Sequence, residues 1–186
     1  MTDTLKKPGD LILQDSEADL LRPPGAEADI VDIFLHPGDH YWGAAGTRIR
    51  TILGSCVAIC MWHPQSHEGG MCHIMLPTRP KRQPGHLDPR YADEALLLLL
   101  DEINHSARPN PSEYEVKIFG GGRMFPVTEN AQIIGEKNIQ TVRHLLKRYH
   151  LPIKSESLGG DFHRKISFEL GTGDVLQQKR LLTAIR

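Results

Sequence analysis

Short apolar segments bounded by glycine and proline make up most of the chain. The segment Val57–Trp62 is apolar at odd and even positions alike, which is typical of a strand covered on both faces. Further along, Ile166, Phe168 and Leu170 alternate with polar residues, which is the period of a half-buried strand. The pattern predicts about seven strands, within residues 30–35, 48–62, 71–76, 114–119, 153–158, 166–170 and 175–176, the last two forming a hairpin.

Two segments are typical of helices instead. Asp88-Pro89 supplies an N-cap acid and a proline at the first helical position, and apolar residues then run almost all round a buried helix from Ala95 to Ile103. A second, amphipathic helix is predicted to end before Pro152; its apolar positions are Ile139, Val142, Leu145, Leu146 and Tyr149. Hairpins and two main helices together indicate an α+β fold with a largely antiparallel sheet system.

The chain divides into a short tail and one domain. Its 186 residues suit a single domain with a core of its own. Within residues 1–28, the prolines and glycines at positions 8, 9 and 23–25 break any apolar period, so we predict a weakly ordered extension. The predicted domain is residues 29–186.

Composition and charge exclude several classes of protein. Lys and Arg number 22 and Asp and Glu 23, so the chain lacks the positive excess of a dedicated nucleic-acid binder. The longest apolar runs, Ala95–Leu100 among them, have six residues, far below the ~18 residues of a membrane span, and the N-terminus has no secretory signal. Three cysteines, an odd number, argue against a disulfide scaffold and favour a reducing cytoplasm with free thiols.

One cysteine and one histidine stand in a suggestive relation. If residues 63–66 form a four-residue loop, Cys56 lies directly opposite His73 on the neighbouring strand, with Cβ atoms ~5 Å apart. A histidine beside a thiol lowers the pKa of that thiol and allows acyl transfer, in which the thiolate attacks a carbonyl carbon. Gly54 and Ser55, just before the cysteine, allow a sharp bend, and their backbone N–H groups are candidates to hold the oxyanion.

Other interpretations of these residues remain open from spacing alone. A buried cysteine is usually a small hydrophobic residue, and we expect this of Cys60 and Cys72. His73 is equally compatible with a core histidine bonded to a carbonyl. Thr51 either orients the histidine or is an ordinary strand residue, and in a regular strand it would face away from Cys56 unless the chain kinks near Gly54.

Two binding motifs are weaker still. The cysteines and histidines between positions 56 and 73 include six candidate zinc ligands, but the gap between the second cysteine and the first histidine is only two residues, against ~12 or more in finger-type sites. The run Gly120-Gly121-Gly122-Arg123 lacks the Gly-Lys-Ser/Thr of a phosphate loop, so a close-packed backbone turn is favoured. We therefore predict no metal site and no cofactor.

Several ordered motifs resemble one family. Thr51–Ala58 resembles the first signature of CheD, the chemoreceptor glutamine deamidase of bacterial and archaeal chemotaxis, and Gly69–Pro77 resembles the second, with the histidine at the same offset. The resemblance spans roughly residues 30–178. The remaining matching segments are Lys117–Gly121, Ile134–Ile139, Gly159-Gly160 and Arg164-Lys165-Ile166.

The resemblance implies a layered α/β sandwich, similar to the catalytic domain of the cytotoxic necrotizing factor toxins. It implies hydrolysis of glutamine side-chain amides on methyl-accepting chemotaxis receptors, with release of ammonia and with methylesterase action as a close chemical variant. In this family the nucleophile maps to Cys56, the base to His73, and a threonine shortly upstream of the cysteine to Thr51. A CheC-type phosphatase is the further partner that it implies.

This chain departs from the family pattern at Cys72, at Gly122-Arg123 and in its longer N-terminal segment, and none of these removes the nucleophile or the base. The alternative function is a non-catalytic chemotaxis adaptor that keeps the site without using it.

Overall fold

The computed structural model describes residues 30–81, 85–124 and 129–181, with side chains for all of these except 129–133. The predicted tail, residues 1–28, lies outside the described residues. Two helices and a short 3₁₀ turn accompany the strands in this part of the chain. The helices are α1 (Ala92–His105) and α2 (Glu129–Arg148), and the turn is Pro111–Glu113; the strands are β1 (Val31–Phe34), β2 (His40–Gly43), β3 (Thr47–Leu53), β4 (Val57–Trp62), β5 (Gly69–Ile74), β6 (Glu115–Gly120), β7 (Ile153–Leu158), β8 (Phe162–Glu169) and β9 (Val175–Leu181).

The strands form two sheets. A five-stranded sheet has the order β2-β5-β4-β6-β7, and a four-stranded sheet has the order β1-β3-β8-β9. The pairs β1–β3 and β6–β7 are parallel, and the other strand pairs of the described chain are antiparallel. The predicted α+β class and the largely antiparallel character are therefore confirmed.

Central strand β4 explains how the layers stack. All six of its residues are buried, as the pattern Val57–Trp62 predicted. Val57, Ile59 and Met61 pack with both helices, whereas Ala58, Cys60 and Trp62 pack with the four-stranded sheet. The molecule therefore has three layers, and the five-stranded sheet lies in the middle.

The helix layer is held by apolar burial. In α1, Leu96, Leu99 and Ile103 are fully buried in the core shared with α2 and the five-stranded sheet. Burying one such side chain contributes about 1.5–3 kcal/mol, so this face rather than its terminal cap accounts for most of the helix's stability.

The start of α1 differs from the prediction. The helix begins at Ala92 with Tyr91 as N-cap and no side-chain cap, rather than at Asp88. The cause is tertiary: the Met75 and Leu76 N–H groups both donate to the Arg90 carbonyl, which ties residue 90 to the end of β5. Asp88 instead accepts hydrogen bonds from the Arg90 backbone and guanidinium.

Strand β2 is absent from the predicted set. It is a four-residue edge strand, His40–Gly43, paired with β5, and all four residues are half-buried. Without an alternation of buried and exposed positions, it carries no period by which to recognise it.

Candidate active site

The candidate nucleophile lies where the chain passes from one sheet to the other. β3 belongs to the four-stranded sheet and β4 to the five-stranded sheet, so Gly54-Ser55-Cys56 is the crossing between them. Thr51, before this crossing, is buried on the inner face of its sheet between Ile49 and Leu53. The crossing is the kink that an orienting role for Thr51 required.

Thr51 meets His73 across the interface between the sheets. The Thr51 Oγ1 hydroxyl donates to the Leu35 carbonyl oxygen at 2.8 Å and lies 2.7 Å from His73 Nδ1. Because a hydroxyl has a single hydrogen, Oγ1 must accept from the imidazole, which puts the histidine proton on Nδ1. Nε2 is then the basic nitrogen.

His73 is fixed in the backbone as well as through its ring. Its N–H donates to the Asp39 carbonyl at 2.9 Å, and its carbonyl accepts from the Gly38 N–H at 2.8 Å. The side chain is buried, and Nε2 has no hydrogen-bond partner among the described residues. A buried polar atom left unpaired is uncommon and is typical of a group kept available for chemistry.

The predicted register between Cys56 and His73 is wrong by two residues. His73 pairs with Ala58, because the loop between β4 and β5 has six residues, 63–68, instead of four. The loop is built on His63, whose Nδ1 accepts from the Gln65 and Ser66 N–H groups, and His67 adopts a left-handed φ of 56°.

Despite the two-residue error, Cys56 and His73 lie on the same face of the five-stranded sheet. Side chains alternate with period two along a strand, so Cys56 lies on the same side of the sheet as Ala58 and His73. Cys56 is half-buried and contacts the core between the sheets. It is a diagonal neighbour of His73, a relation that in a regular ladder separates residues by about 7–8 Å.

Three successive carbonyls around the nucleophile point into the fold. The Gly54 oxygen accepts from the Gly122 N–H at 2.8 Å, and the Cys56 oxygen accepts from the Gly121 N–H at 2.7 Å. The Ser55 oxygen accepts from the Asn138 side chain at 3.1 Å. In a trans peptide the N–H lies opposite the C=O, so the Ser55 and Cys56 N–H groups are turned away from these donors.

Gly120 makes this packing possible. Its φ is +114°, and a Cβ built at this position would lie 2.1 Å from the Cys56 carbonyl oxygen. Since the Gly121 and Gly122 N–H groups already donate to the crossing, this is the close-packed backbone turn favoured above, not a phosphate cradle.

Burial sets the resting protonation of the pair. It raises the pKa of the Cys56 thiol, against a lowering by the Cys56 backbone N–H, and it lowers the pKa of His73 from 6.5 to about 4. Burial therefore favours a neutral thiol and a neutral imidazole over an ion pair of thiolate and imidazolium in this pair.

The other two cysteines occupy different surroundings. Cys60 lies in the core between the sheets and Cys72 in the core beneath the helices, and both are fully buried. Burial raises the pKa of both thiols, that of Cys72 to about 12. Among the described residues, no group of three or more His, Cys, Asp or Glu side chains could hold a metal ion.

Asn138 is the site residue that spacing alone did not single out. It is fully buried in the middle of α2 and reaches the crossing from a third element of the fold. One signal was present: Asn138 stands four residues before Val142 and so falls on the apolar stripe of the helix, where a polar side chain needs an explanation.

No helix within the described ranges is both long and apolar enough to cross a membrane.

Comparisons with known proteins agree on one family. The chain is 45% identical over 148 residues to the probable chemoreceptor glutamine deamidase CheD 2 of Albidiferax ferrireducens, an alignment covering 78% of this chain and 85% of that protein. It is 43% identical over 159 residues to the probable chemoreceptor glutamine deamidase CheD of Pseudomonas syringae pv. tomato, covering 83% and 90%. The corresponding CheD 1 protein of Leptospira interrogans is 40% identical over 159 residues, covering 81% and 93%.

The family model described as CheD chemotactic sensory transduction matches residues 75–179. The matched segment begins after His73 and includes both helices, the glycine turn and Asn138. This match covers more than half of the chain, and the relatives align with more than three quarters of it; the chain belongs to the CheD family of chemotactic sensory transduction proteins.

Proposed function

We propose that this protein deamidates glutamine side chains of chemoreceptors, converting them to glutamate and releasing ammonia. One observation carries the proposal: the Thr51 hydroxyl fixes His73 in the tautomer whose basic Nε2 has no partner among the described residues, on the same face as Cys56. The relatives are named as probable chemoreceptor glutamine deamidases, which supports the choice of substrate.

In the first half of the reaction, His73 is the general base and Cys56 the nucleophile. As Cys56 Sγ attacks the side-chain amide carbon of glutamine, its proton moves to His73 Nε2. The carbonyl oxygen becomes an oxyanion, which the outward-facing Ser55 and Cys56 N–H groups would stabilise. The carbon–nitrogen bond then breaks and Nε2 returns the proton to the nitrogen. Ammonia is released, and the glutamyl group remains on Cys56 as a thioester.

In the second half, a water molecule replaces the amide nitrogen. His73 Nε2 takes a proton from the water as the oxygen attacks the thioester carbon. The carbon–sulfur bond breaks, the sulfur takes the proton from Nε2, and glutamate is released. Throughout, Thr51 keeps Nδ1 protonated, so the single lone pair of the ring stays on Nε2.

A side activity, a partner and a cellular location remain predictions. A glutamyl methyl ester would give the same thioester intermediate, so receptor methylesterase action is chemically close. A CheC-type phosphatase as partner follows from the family resemblance alone, and a cytoplasmic location follows from that resemblance and from the odd number of cysteines.

Mass spectrometry of receptor cytoplasmic domains tests the proposal. We expect the wild-type protein to give glutamine-to-glutamate mass gains that Cys56→Ala does not give. Cys72→Ala is the matched control: it also removes a thiol, but one that is fully buried on the helix side of the sheet, and it should keep the activity. If neither the wild type nor the control modifies receptors from the same organism, the deamidase proposal is wrong and the adaptor function takes its place.

A further inference from the structure

Asn138 joins the two chain segments that carry the candidate nucleophile and base. Its Nδ2 donates to the Ser55 carbonyl oxygen at 3.1 Å and to the Met75 carbonyl oxygen at 2.9 Å. Ser55 directly precedes Cys56, and Met75 follows His73 by two residues. One side-chain amide therefore uses both hydrogens to tie the crossing between the sheets to the end of β5.

The orientation of this amide follows from its partners. Both are carbonyl oxygens, which only accept, so the nitrogen must face them. The Oδ1 atom is buried without a hydrogen-bond partner among the described residues. An unpaired buried amide oxygen lowers stability, and an apolar side chain would fill the same space without this cost. Packing alone therefore does not explain an asparagine at this position.

We infer that Asn138 is a positioning residue for the reaction at Cys56. This inference rests on the proposed function. By holding the Ser55 carbonyl inward, the amide turns the Cys56 N–H outward, toward the developing oxyanion. By holding Met75 as well, it sets the separation of nucleophile and base from outside the two strands that carry them.

The docking of α2 sets the reach of Asn138. One turn earlier, Gly135 lies against the glycine turn after β6, and a Cβ built there would be 2.8 Å from the Gly121 carbonyl oxygen. Directly after Asn138, the Ile139 side chain covers Gly121. Helix, glycine turn and crossing therefore form one packed unit, and a shift of α2 would move the amide relative to Cys56.

A purely structural role predicts a different result from a positioning role. If Asn138 only stabilises the fold, its removal lowers the free energy of unfolding while the surviving folded molecules react normally. If it positions the site, folded molecules turn over more slowly, with kcat reduced and KM for the receptor nearly unchanged. The reactivity of the Cys56 thiol separates these roles without any need for deamidation.

The experiment compares Asn138→Ala and Asn138→Asp with Asn104→Ala and Asn104→Asp. Asn104 is exposed on α1, so the second pair controls for the chemical change alone. For each protein we would measure urea unfolding, kcat and KM on a receptor domain, and the pH dependence of Cys56 alkylation by iodoacetamide. Alkylation at Cys56 is followed by mass spectrometry. Cys60 and Cys72 are fully buried and should not react in the folded protein.

We expect both Asn138 variants to lose about 10- to 100-fold in kcat, the usual effect of a displaced reacting group. Their alkylation profiles should move to higher pH, because the Cys56 N–H that lowers the thiol pKa is no longer held beside the sulfur. The Asn104 variants should match the wild type in both measurements.

Unchanged kcat and an unmoved alkylation profile in folded Asn138→Ala would overturn the inference, whatever happened to stability. If Asn138→Asp does not fold, Asn138→Ala and Asn138→Ser carry the same test. If the wild type does not deamidate receptors, the proposed function fails, and the alkylation profile alone still decides for or against the positioning of Cys56.

Discussion

Replacement of Thr51 by valine gives the sharpest test of the contact between the sheets. The two side chains have nearly the same shape, so the change removes the hydroxyl and little else. Two buried partners lose their hydrogen bond: the Leu35 carbonyl and the His73 Nδ1–H. With Thr51 itself 1% exposed, no bulk water replaces the missing oxygen.

The expected loss of stability follows from these two groups. Each buried group left unpaired costs about 1–3 kcal/mol, which gives about 2–6 kcal/mol for the pair. The added methyl group of valine recovers about 0.8 kcal/mol of apolar burial, so we expect a net loss of roughly 1–5 kcal/mol. Thr51→Ser keeps the hydroxyl and loses a methyl group, at a cost of about 1 kcal/mol.

Urea unfolding and receptor deamidation should be measured on both variants. Thr51→Val should be less stable than Thr51→Ser, and its kcat should fall, because His73 is then free to rotate or to carry its proton on Nε2. Thr51→Ser should keep most of the activity. A valine variant as stable and as active as the serine variant would show that the hydroxyl neither orients His73 nor satisfies Leu35.

Three further outcomes are expected. Burial lowers the pKa of His73 from 6.5 to about 4, so the unfolded chain takes up this proton at higher pH than the folded chain does. Between pH 6.5 and 4, His73 should therefore lower the free energy of unfolding by about 3 kcal/mol, measured in urea titrations as the difference in pH dependence between the wild type and His73→Gln. For the same reason, the acid limb of kcat/KM should lie near pH 4, and a limb near 6.5 would contradict the burial of the base. Gly120→Ala puts a Cβ 2.1 Å from the Cys56 carbonyl oxygen at a φ of +114°. It should lower the free energy of unfolding by at least about 3 kcal/mol in thermal or urea unfolding. Gly46→Ala is the control: its φ is +87° and nothing lies within 4 Å, so it should show the backbone cost alone.

The spacing of apolar residues along the chain was enough to predict most of the strands and the two helices. The apolar segment Val57–Trp62 and the alternation from Ile166 to Leu170 depend on neighbours in sequence, and both lie in strands or at a strand end as expected. The α+β class followed from these elements. The edge strand His40–Gly43 could not be found in this way, because its pairing with β5 rather than its own pattern makes it a strand.

The candidate site depends more on tertiary structure. The register of Cys56 and His73 was missed by two residues because side-chain hydrogen bonds to His63 set the length of the intervening loop. The contact between Thr51 and His73 joins two different sheets, so no strand period could predict it. Asn138 reaches the site from a helix more than 80 residues further along the chain, and only the packed fold brings it there.

The passage of the chain between the sheets at Cys56 has a consequence for synthesis of the protein on the ribosome. The thiol is made early, but the glycine turn at position 120 and the amide of Asn138 that hold its loop come much later. A nascent chain that ends before α2 carries Cys56, His73 and Thr51 but lacks the Asn138 amide that bonds the crossing. We therefore expect the crossing to reach its folded shape only after α2 has been synthesised and has packed on the sheet.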